Sequence, residues 1–200
     1  LWDYNPSQFT KIEIANNKLY IIGNDYEHAS VIWDYVLINT KLIDKVVFSS
    51  DIGFVSFGNE NSAIYGIFLA DWNTNKVYYY LLHTNQNGEV FWNFYYWDYG
   101  SISFTSVIDW TLLDTFAYTI NNLNFKLVYY DSYIKGYFDN IQIFSYAVSN
   151  FECQGYGIYS QDDYTIWVDN VEVYGNEVES EIDLGRVKRN KIIKPIALPK

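Results

Sequence analysis

The sequence predicts an all-β fold, a two-sheet antiparallel β-sandwich, and three observations predict it. Apolar and polar residues alternate with a period of two along most of the chain, the signature of half-buried strands. Turn-forming Asn, Asp and Gly residues interrupt that alternation at short, regular intervals. Aromatic residues make up 20% of the chain, with 21 Tyr, 13 Phe and 7 Trp, and such side chains suit a pleated surface. No stretch shows the periodicity of an amphipathic helix. Two hundred residues fit one sizeable domain, and a chain of that length buries roughly 70% of its unfolded surface. With 50% hydrophobic and 18% charged residues, the composition is that of a globular chain.

The elements follow in order. Lys11-Ile12-Glu13-Ile14 alternates, Asn16-Asn17 turns the chain, and Lys18-Leu19-Tyr20-Ile21-Ile22 returns. Further strands are expected at 29–38, 45–50, 53–58 and 63–70, and Asp71-Trp72-Asn73-Thr74-Asn75 reads as a turn into 76–82. Asn85-Gln86-Asn87-Gly88 is the strongest hairpin signal, because Asn-Gly supplies the two positive-φ residues of a type I′ turn. It leads into 89–97, and later strands are expected at 101–108, 116–120, 125–130, 137–144, 155–159 and 165–174. Residues 138–144 and 168–174 echo each other around Asp139-Asn140 and Asp169-Asn170, and read as two similar strands of one sandwich. After Gly175 the pattern changes: 176–184 is acidic and polar, and 185–200 is basic. The expected organisation is a sandwich domain at 1–175 and an extended C-terminal appendage at 176–200.

Composition also bounds the chemistry. The single cysteine, Cys153, cannot form an intramolecular disulfide and reads as a small buried apolar residue. The two histidines, His28 and His83, belong to no motif and lie far from it in sequence, which argues against a thiol catalyst and against zinc. No segment approaches the roughly 20 apolar residues that span a bilayer. The absence of methionine leaves two expectations, a mature chain whose leader is removed or a domain cut from a longer chain, and the polar, aromatic, strand-rich composition favours the first, an extracellular, secreted protein. The triplet Asn5-Pro6-Ser7 is blocked as a glycosylation site by its proline. Residues 1–185 hold all 24 acidic residues, seven lysines and no arginine, whereas 186–200 hold six basic residues and no acid. An acidic body repels phosphates, so neither nucleic acid nor an anionic membrane is an expected partner.

Residues 125–175 carry a resemblance. They contain Lys126-Leu127-Val128-Tyr129-Tyr130-Asp131, Gly136-Tyr137-Phe138-Asp139-Asn140 and Gly155-Tyr156-Gly157-Ile158-Tyr159-Ser160, and close with Trp167-Val168-Asp169-Asn170-Val171-Glu172-Val173-Tyr174. This resembles the C-terminal half of concanavalin A-like (laminin G-like) jelly-roll sandwich domains. The resemblance covers about residues 10–175, most closely over the last fifty, and Tyr65-Gly66-Ile67-Phe68-Leu69 and Lys76-Val77-Tyr78-Tyr79-Tyr80 match the middle strands. It implies a fold shared by lectins, carbohydrate-binding modules, adhesive and structural surface domains and some glycoside hydrolases, and names no ligand.

Four candidate constellations remain. Glycosidases need two carboxylates flanking the scissile bond, and those of the resembled fold place Glu-x-Asp-x-x-Glu on a central strand. Glu181-Ile182-Asp183-Leu184-Gly185 lacks the second glutamate and lies in the appendage, so no catalytic residue is assigned and the chain is expected not to be an enzyme. Calcium is the one cofactor for which there are candidates, the loop oxygens of Asp51, Asn59, Glu60, Asp162, Asp163 and Asp169. No Asp-x-Asp-x-Asp-Gly loop supports them, and Asp169-Asn170 reads better as a local fixture of the last strand. In the aromatic run 91–99, Trp92, Phe94 and Tyr96 share one face while Asn93, Tyr95, Trp97 and Tyr99 share the other. The second, more polar set is expected to face outward as a ligand surface, since rings with polar tips suit amphipathic partners; burial of both faces is the competing expectation. Finally, Arg186, Lys188, Arg189, Lys191 and Lys194 alternate with apolar residues, and such a segment can add a strand to a sheet edge of its own or a neighbouring copy.

Two functions are therefore expected. One is a non-enzymatic extracellular module that recognises glycans or cell-surface polymers. The other is a structural subunit of an extracellular assembly (virion, filament or surface layer) that forms a homo-oligomer or polymer through its basic tail. A glycoside hydrolase ranks behind both.

Overall fold

The computed structural model describes residues 9–23, 41–57, 61–113, 120–161 and 164–178. The strands are β1 (Phe9–Ala15), β2 (Lys18–Gly23), β3 (Lys41–Phe57), β4 (Ser62–Asp71), β5 (Lys76–Asn85) and β6 (Val90–Asp98). They continue as β7 (Ser103–Leu112), β8 (Leu123–Tyr130), β9 (Tyr133–Phe138), β10 (Ile141–Ala147), β11 (Gly155–Gln161) and β12 (Tyr164–Val178). Among the described residues there is no helix, so none is long and apolar enough to cross a membrane. The strands form a seven-stranded sheet, β1-β2-β12-β3-β8-β9-β10, and a five-stranded sheet, β11-β4-β5-β6-β7. All pairings are antiparallel. The predicted sandwich is the observed architecture, and its sheets are joined as in jelly rolls.

The two inner faces meet through rings. Tyr80 of β5 stacks on Phe138 of β9 at 4.6 Å, Phe94 of β6 meets Phe144 of β10 at 4.2 Å, and Tyr65 of β4 approaches Phe125 and Tyr164, each at 6.1 Å. Burying an aromatic removes a large apolar area from water and adds a preference for offset or edge-on geometry, so this layer sets the register of one sheet on the other. Cys153 belongs to it. Burial pushes its thiol up to about 12, which leaves it the inert core residue the sequence suggested.

Several expected boundaries move. The strands expected at 45–50 and 53–58 are one strand, β3, because Asp51 and Ile52 stay paired to Asn124 and Leu123 of β8 without a break. Gly53, the expected first residue of the second of those strands, is needed inside β3 as a glycine: a Cβ there would sit 2.2 Å from the Trp167 ring. The Lys18 ammonium lies 3.2 Å from the centre of that same ring. The strand expected at 137–144 is instead the hairpin β9–β10, turning at Asp139 and Asn140 with φ of 47° and 68°. Its echo in β12 is a bulge, where Asn170 has φ 49° and the register shifts between Asp169 and Glu172. The similar heptapeptides are thus a chain reversal and a bulged strand. The hairpin at Asn85 is present, but of its loop only Gly88 has positive φ, 79°. Gly88 N–H donates to the Asn85 carbonyl, and Asn85 Oδ1 accepts from the Asn87 and Glu89 amides, an Asx-stabilised turn closed by a left-handed glycine instead of type I′. Strand pairing continues past Gly175, with Asn176–Val178 opposite Ile43–Lys41. The expected strand at 29–38, nearly all of that at 116–120, and residues 179–200 lie outside the described residues.

Candidate functional site

The outer face of the five-stranded sheet is as aromatic as its inner face. Antiparallel register fixes which side chains stand beside each other there. One row runs Gly157, Phe68, Tyr79, Tyr95 and Ser106, and the next runs Gly155, Ala70, Val77, Trp97 and Phe104. A third runs Tyr159, Gly66, Leu81 and Asn93, and a fourth carries Ile64, His83, Phe91 and Leu112. Gly66 belongs at the crossing of the third row, because a Cβ would sit 2.2 Å from the Tyr80 carbonyl oxygen.

These rows pack into a second apolar cluster of Phe68, Ala70, Val77, Tyr79, Leu81 and Tyr159, separate from the main core and flanked by Ile64, Trp72, Tyr95 and Trp97. Tyr79 and Tyr95 stack at 4.9 Å with 18° between planes, and Trp97 lies 13° from parallel to Phe104 at 6.5 Å. Tyr159 meets Tyr79 edge-on at 5.2 Å, and Tyr99 touches both Trp97 and Trp72. At the opposite end His83 stacks on Phe91 and meets Trp110 edge-on.

The face is divided by exposure. Its β4–β5 half is buried, with Phe68, Val77, Tyr79 and Leu81 at 0–3% exposure. Its β6–β7 half is accessible: Tyr95 and Trp97 are half-buried, Tyr99 is 37% exposed, Trp110 41% and Phe104 66%. The alternation read from sequence is the one observed, with Trp92 and Phe94 buried in the core and Tyr96 packed against it. Asn93 shares the outer face with Tyr95 and Trp97 but is buried in it, at 6% exposure, and its Oδ1 has no hydrogen-bond partner. An acceptor held out of water without a donor is costly, so Asn93 is the polar anomaly of this face. Sequence reading passed over Phe104, Trp110, His83 and Tyr159. Pairing between strands brings them in, and no local pattern encodes it.

Hydroxyls of the face bond to one another. Tyr79 and Tyr99 hydroxyls are 3.5 Å apart, and Tyr95 is hydrogen-bonded to Tyr159. Burial first, then the neighbouring tyrosines, raises the Tyr79 and Tyr95 hydroxyls well above the usual phenol range. They are neutral donors and acceptors at physiological pH, and supply no base. The carboxylates near the face serve turns and strands. Asp98 Oδ1 accepts from the Gly100 and Ser101 amides, Glu89 from Asn85 Nδ2, and Asp109 from Ser106 Oγ.

Of the candidate calcium ligands, only Asp51 and Asp169 lie within the described residues. Asn59, Glu60, Asp162 and Asp163 lie outside the described residues, as do Glu181, Asp183 and the basic residues Arg186, Lys188, Arg189, Lys191 and Lys194. Asp169 Oδ1 accepts from the Asn170 amide at 2.8 Å, while Asp51 accepts carboxamide hydrogens from Asn124 and Asn170, both at 2.7 Å. The Asp51–Asn124–Asn170 set ties β3, β8 and β12 side by side on the outer face of the seven-stranded sheet. Among the described residues no group of three or more His, Cys, Asp or Glu is placed to hold a metal.

No family model matches the chain, and no curated protein matches it in sequence. Solved structures of similar fold do. A functionally unknown protein from Saccharomyces cerevisiae aligns with a TM-score of 0.59 at 6% identity, over 88% of this chain and 95% of that one. The CBM2 module of the evolved Dit of Lactobacillus casei BL23 phage J-1 aligns with a TM-score of 0.57 at 12% identity, over 80% and 77%. A variant of alginate lyase Aly36B in complex with alginate tetrasaccharide aligns with a TM-score of 0.59 at 12% identity, over 88% and 87%. At such identities the likeness is one of fold, the jelly-roll β-sandwich.

Proposed function

We propose that this chain is a non-catalytic, extracellular β-sandwich module that binds a glycan on the β6–β7 half of its outer aromatic face. The observation that carries the reading is the platform of Tyr95, Trp97 and Phe104, accessible and flanked by Tyr99. Flat rings with polar rims receive the apolar C–H face of a sugar while nearby hydroxyls and amides take its hydroxyls. Among the described residues, the turn-bound acids near this face support binding without glycoside hydrolysis, which needs a free acid and a free base or nucleophile. The saccharide held by the similar lyase structure supports a saccharide as the class of ligand. The test is calorimetric titration of a saccharide panel against wild type and Trp97→Ala. Binding by the wild type that falls at least about tenfold in the variant, the loss of one good ring contact, supports the reading. Undiminished binding by a folded Trp97→Ala moves the site elsewhere, and cleavage products in the cell make the protein an enzyme.

A structural subunit joined by its basic tail is the second reading, favoured by β7. This outermost strand of the five-stranded sheet exposes Phe104, Trp110 and Leu112 at 66%, 41% and 64%, and among the described residues no strand pairs with its far edge, where a strand can be added. Light scattering of the full chain and a 1–178 truncation at low and high salt decides it. Large species that vanish on truncation and dissolve in salt favour a tail-linked assembly, because salt screens exposed charge pairing. Monomers throughout reject it.

A further inference from the structure

The two edges of the five-stranded sheet differ. β11 is one edge strand, and its residues 155–160 are all buried. β7 is the other, and eight of its ten residues are exposed. These include Thr105 and Thr111, which stand opposite the core-side Tyr96 and Trp92. Edge strands are guarded by Lys, Pro, inward charge or bulges. β7 contains neither lysine nor proline, and its one charged residue, Asp109, accepts from Ser106 Oγ within the same strand.

What β7 does carry is a pair of bulges. Val107 lies between Ser106 and Ile108, whose partners Tyr95 and Phe94 are adjacent, and Asp109 and Trp110 share the single Asn93. The extra residues flank Ile108 on both sides. A regular strand laid along this edge loses register at each bulge. A second copy of β7 turned end for end about a two-fold axis through Ile108 keeps register, because each bulge meets a bulge.

The faces agree as well. Phe104, Ser106 and Leu112 pair with Trp97, Tyr95 and Phe91 on the outer face, where Trp110 also meets His83. Thr105, Ile108 and Thr111 pair with Tyr96, Phe94 and Trp92 on the inner side. About the Ile108 axis, Phe104 stands opposite the partner's Leu112, Ser106 opposite the partner's Trp110, and Thr105 opposite the partner's Thr111. Each pair joins like faces, and Phe104 and Leu112, exposed by 66% and 64%, cover each other. Sliding the copy by two residues sets Ile108 against Ser106 or Trp110, an inner side chain against an outer one.

We infer that the chain dimerises through β7, antiparallel about Ile108, joining two five-stranded sheets into one. The two outer aromatic faces then lie on the same side of a continuous sheet. With the glycan reading, this gives two platforms on one surface, able to hold a repeating polymer at both. The pairing itself does not rest on that reading, and it takes the edge that a tail-linked assembly needs.

Sedimentation equilibrium of the full chain, the 1–178 truncation and Leu112→Lys tests it. The first two are expected to form dimers that persist in high salt, since the contact is main-chain pairing and apolar burial. Leu112→Lys, which sets an ammonium against the partner's Phe104, is expected to be a monomer with the same β-sheet circular dichroism. Mild oxidation reads the register. Residues directly opposite in an antiparallel pair have Cα atoms about 4.5–5.5 Å apart, within disulfide reach. Ile108→Cys is therefore expected to cross-link to its own counterpart, and Thr105→Cys is not; the native Cys153 is buried and gives no background. Monomers at every concentration up to about 0.1 mM overturn the inference. So do dimers that survive Leu112→Lys, that cross-link through Thr105→Cys instead of Ile108→Cys, or that vanish on truncation or in salt. A β7 dimer that binds no glycan upholds the pairing and removes the glycan reading alone.

Discussion

At the scale of the residue, the same side chain takes opposite energetic roles according to its partners. Tyr164 is buried with its hydroxyl donating to the Ile64 carbonyl and accepting from Ser160 Oγ at 2.8 Å. Tyr65 is equally buried between Phe54, Phe125 and Tyr164, yet its hydroxyl has no hydrogen-bond partner. Removing an unsatisfied buried hydroxyl while keeping the ring eliminates a desolvation penalty, whereas removing a paired one strands its partners. Tyr65→Phe is therefore expected to stabilise the fold by about 1 kcal/mol, and Tyr164→Phe to destabilise it by about 1–2 kcal/mol. Paired thermal melts check both; a Tyr65→Phe that melts below wild type means that the hydroxyl has a role in the core. Asp71 shows the satisfied extreme. Buried at 1% exposure, it accepts from the Asn73, Thr74 and Glu152 amides, locking the β4–β5 turn to the chain that leads into β11.

Elements were legible in sequence where the local signal and the tertiary demand coincided. β5 and β6 read correctly because their alternation is dictated by two apolar faces, and the face shared by Tyr95 and Trp97 followed from a period of two. Asn16-Asn17 read correctly because both residues tolerate the left-handed region, with φ of 51° and 62°. Asp139-Asn140 takes up the same geometry but was passed over, since its flanking residues alternate without a break and only the return of β10 along β9 reveals the reversal. Gly53 is the opposite case, lying inside β3 where the sequence reading ended one strand at 50 and began another at 53. Its reason for being glycine is Trp167, more than a hundred positions away in sequence and adjacent in the sheet. The candidate face shows the same division. Asn93, Tyr95, Trp97 and Tyr99 came from one strand's pattern; Phe104, Trp110 and Tyr159 join them only through the pairing of β7 and β11 with their neighbours. A single strand's pattern gives a face, and the order of strands in the sheet gives the site.

At the scale of the whole molecule, a core and outer face built from tyrosine fix how the fold responds to pH. Tyr65 is raised by burial alone, and Tyr79 and Tyr95 by burial first and neighbouring tyrosines second. In the unfolded chain each ionises near pH 10. The folded state holds these protons more tightly, so their contribution is fully present below about pH 10 and is lost as pH rises towards the folded values. Each such tyrosine removes about 1.4 kcal/mol of stability per pH unit above that point, and three acting together remove about 4 kcal/mol per unit. Cys153, moved by burial from 9.0 to about 12, acts in the same direction and starts earlier, above about pH 9. A domain whose total stability is roughly 5–15 kcal/mol cannot absorb that slope for long. The expected outcome is flat stability from neutrality to about pH 9, a shallow decline from the thiol up to about pH 10, and then one cooperative unfolding step as the buried phenols are also drawn into ionising. Tyrosinate absorbance and circular dichroism followed through the same alkaline titration test it: the slow-titrating tyrosines and the β-sheet signal should change together. Complete tyrosine ionisation near pH 10 with the sheet signal intact would show that water reaches these hydroxyls, and that the two aromatic layers are looser than their packing indicates.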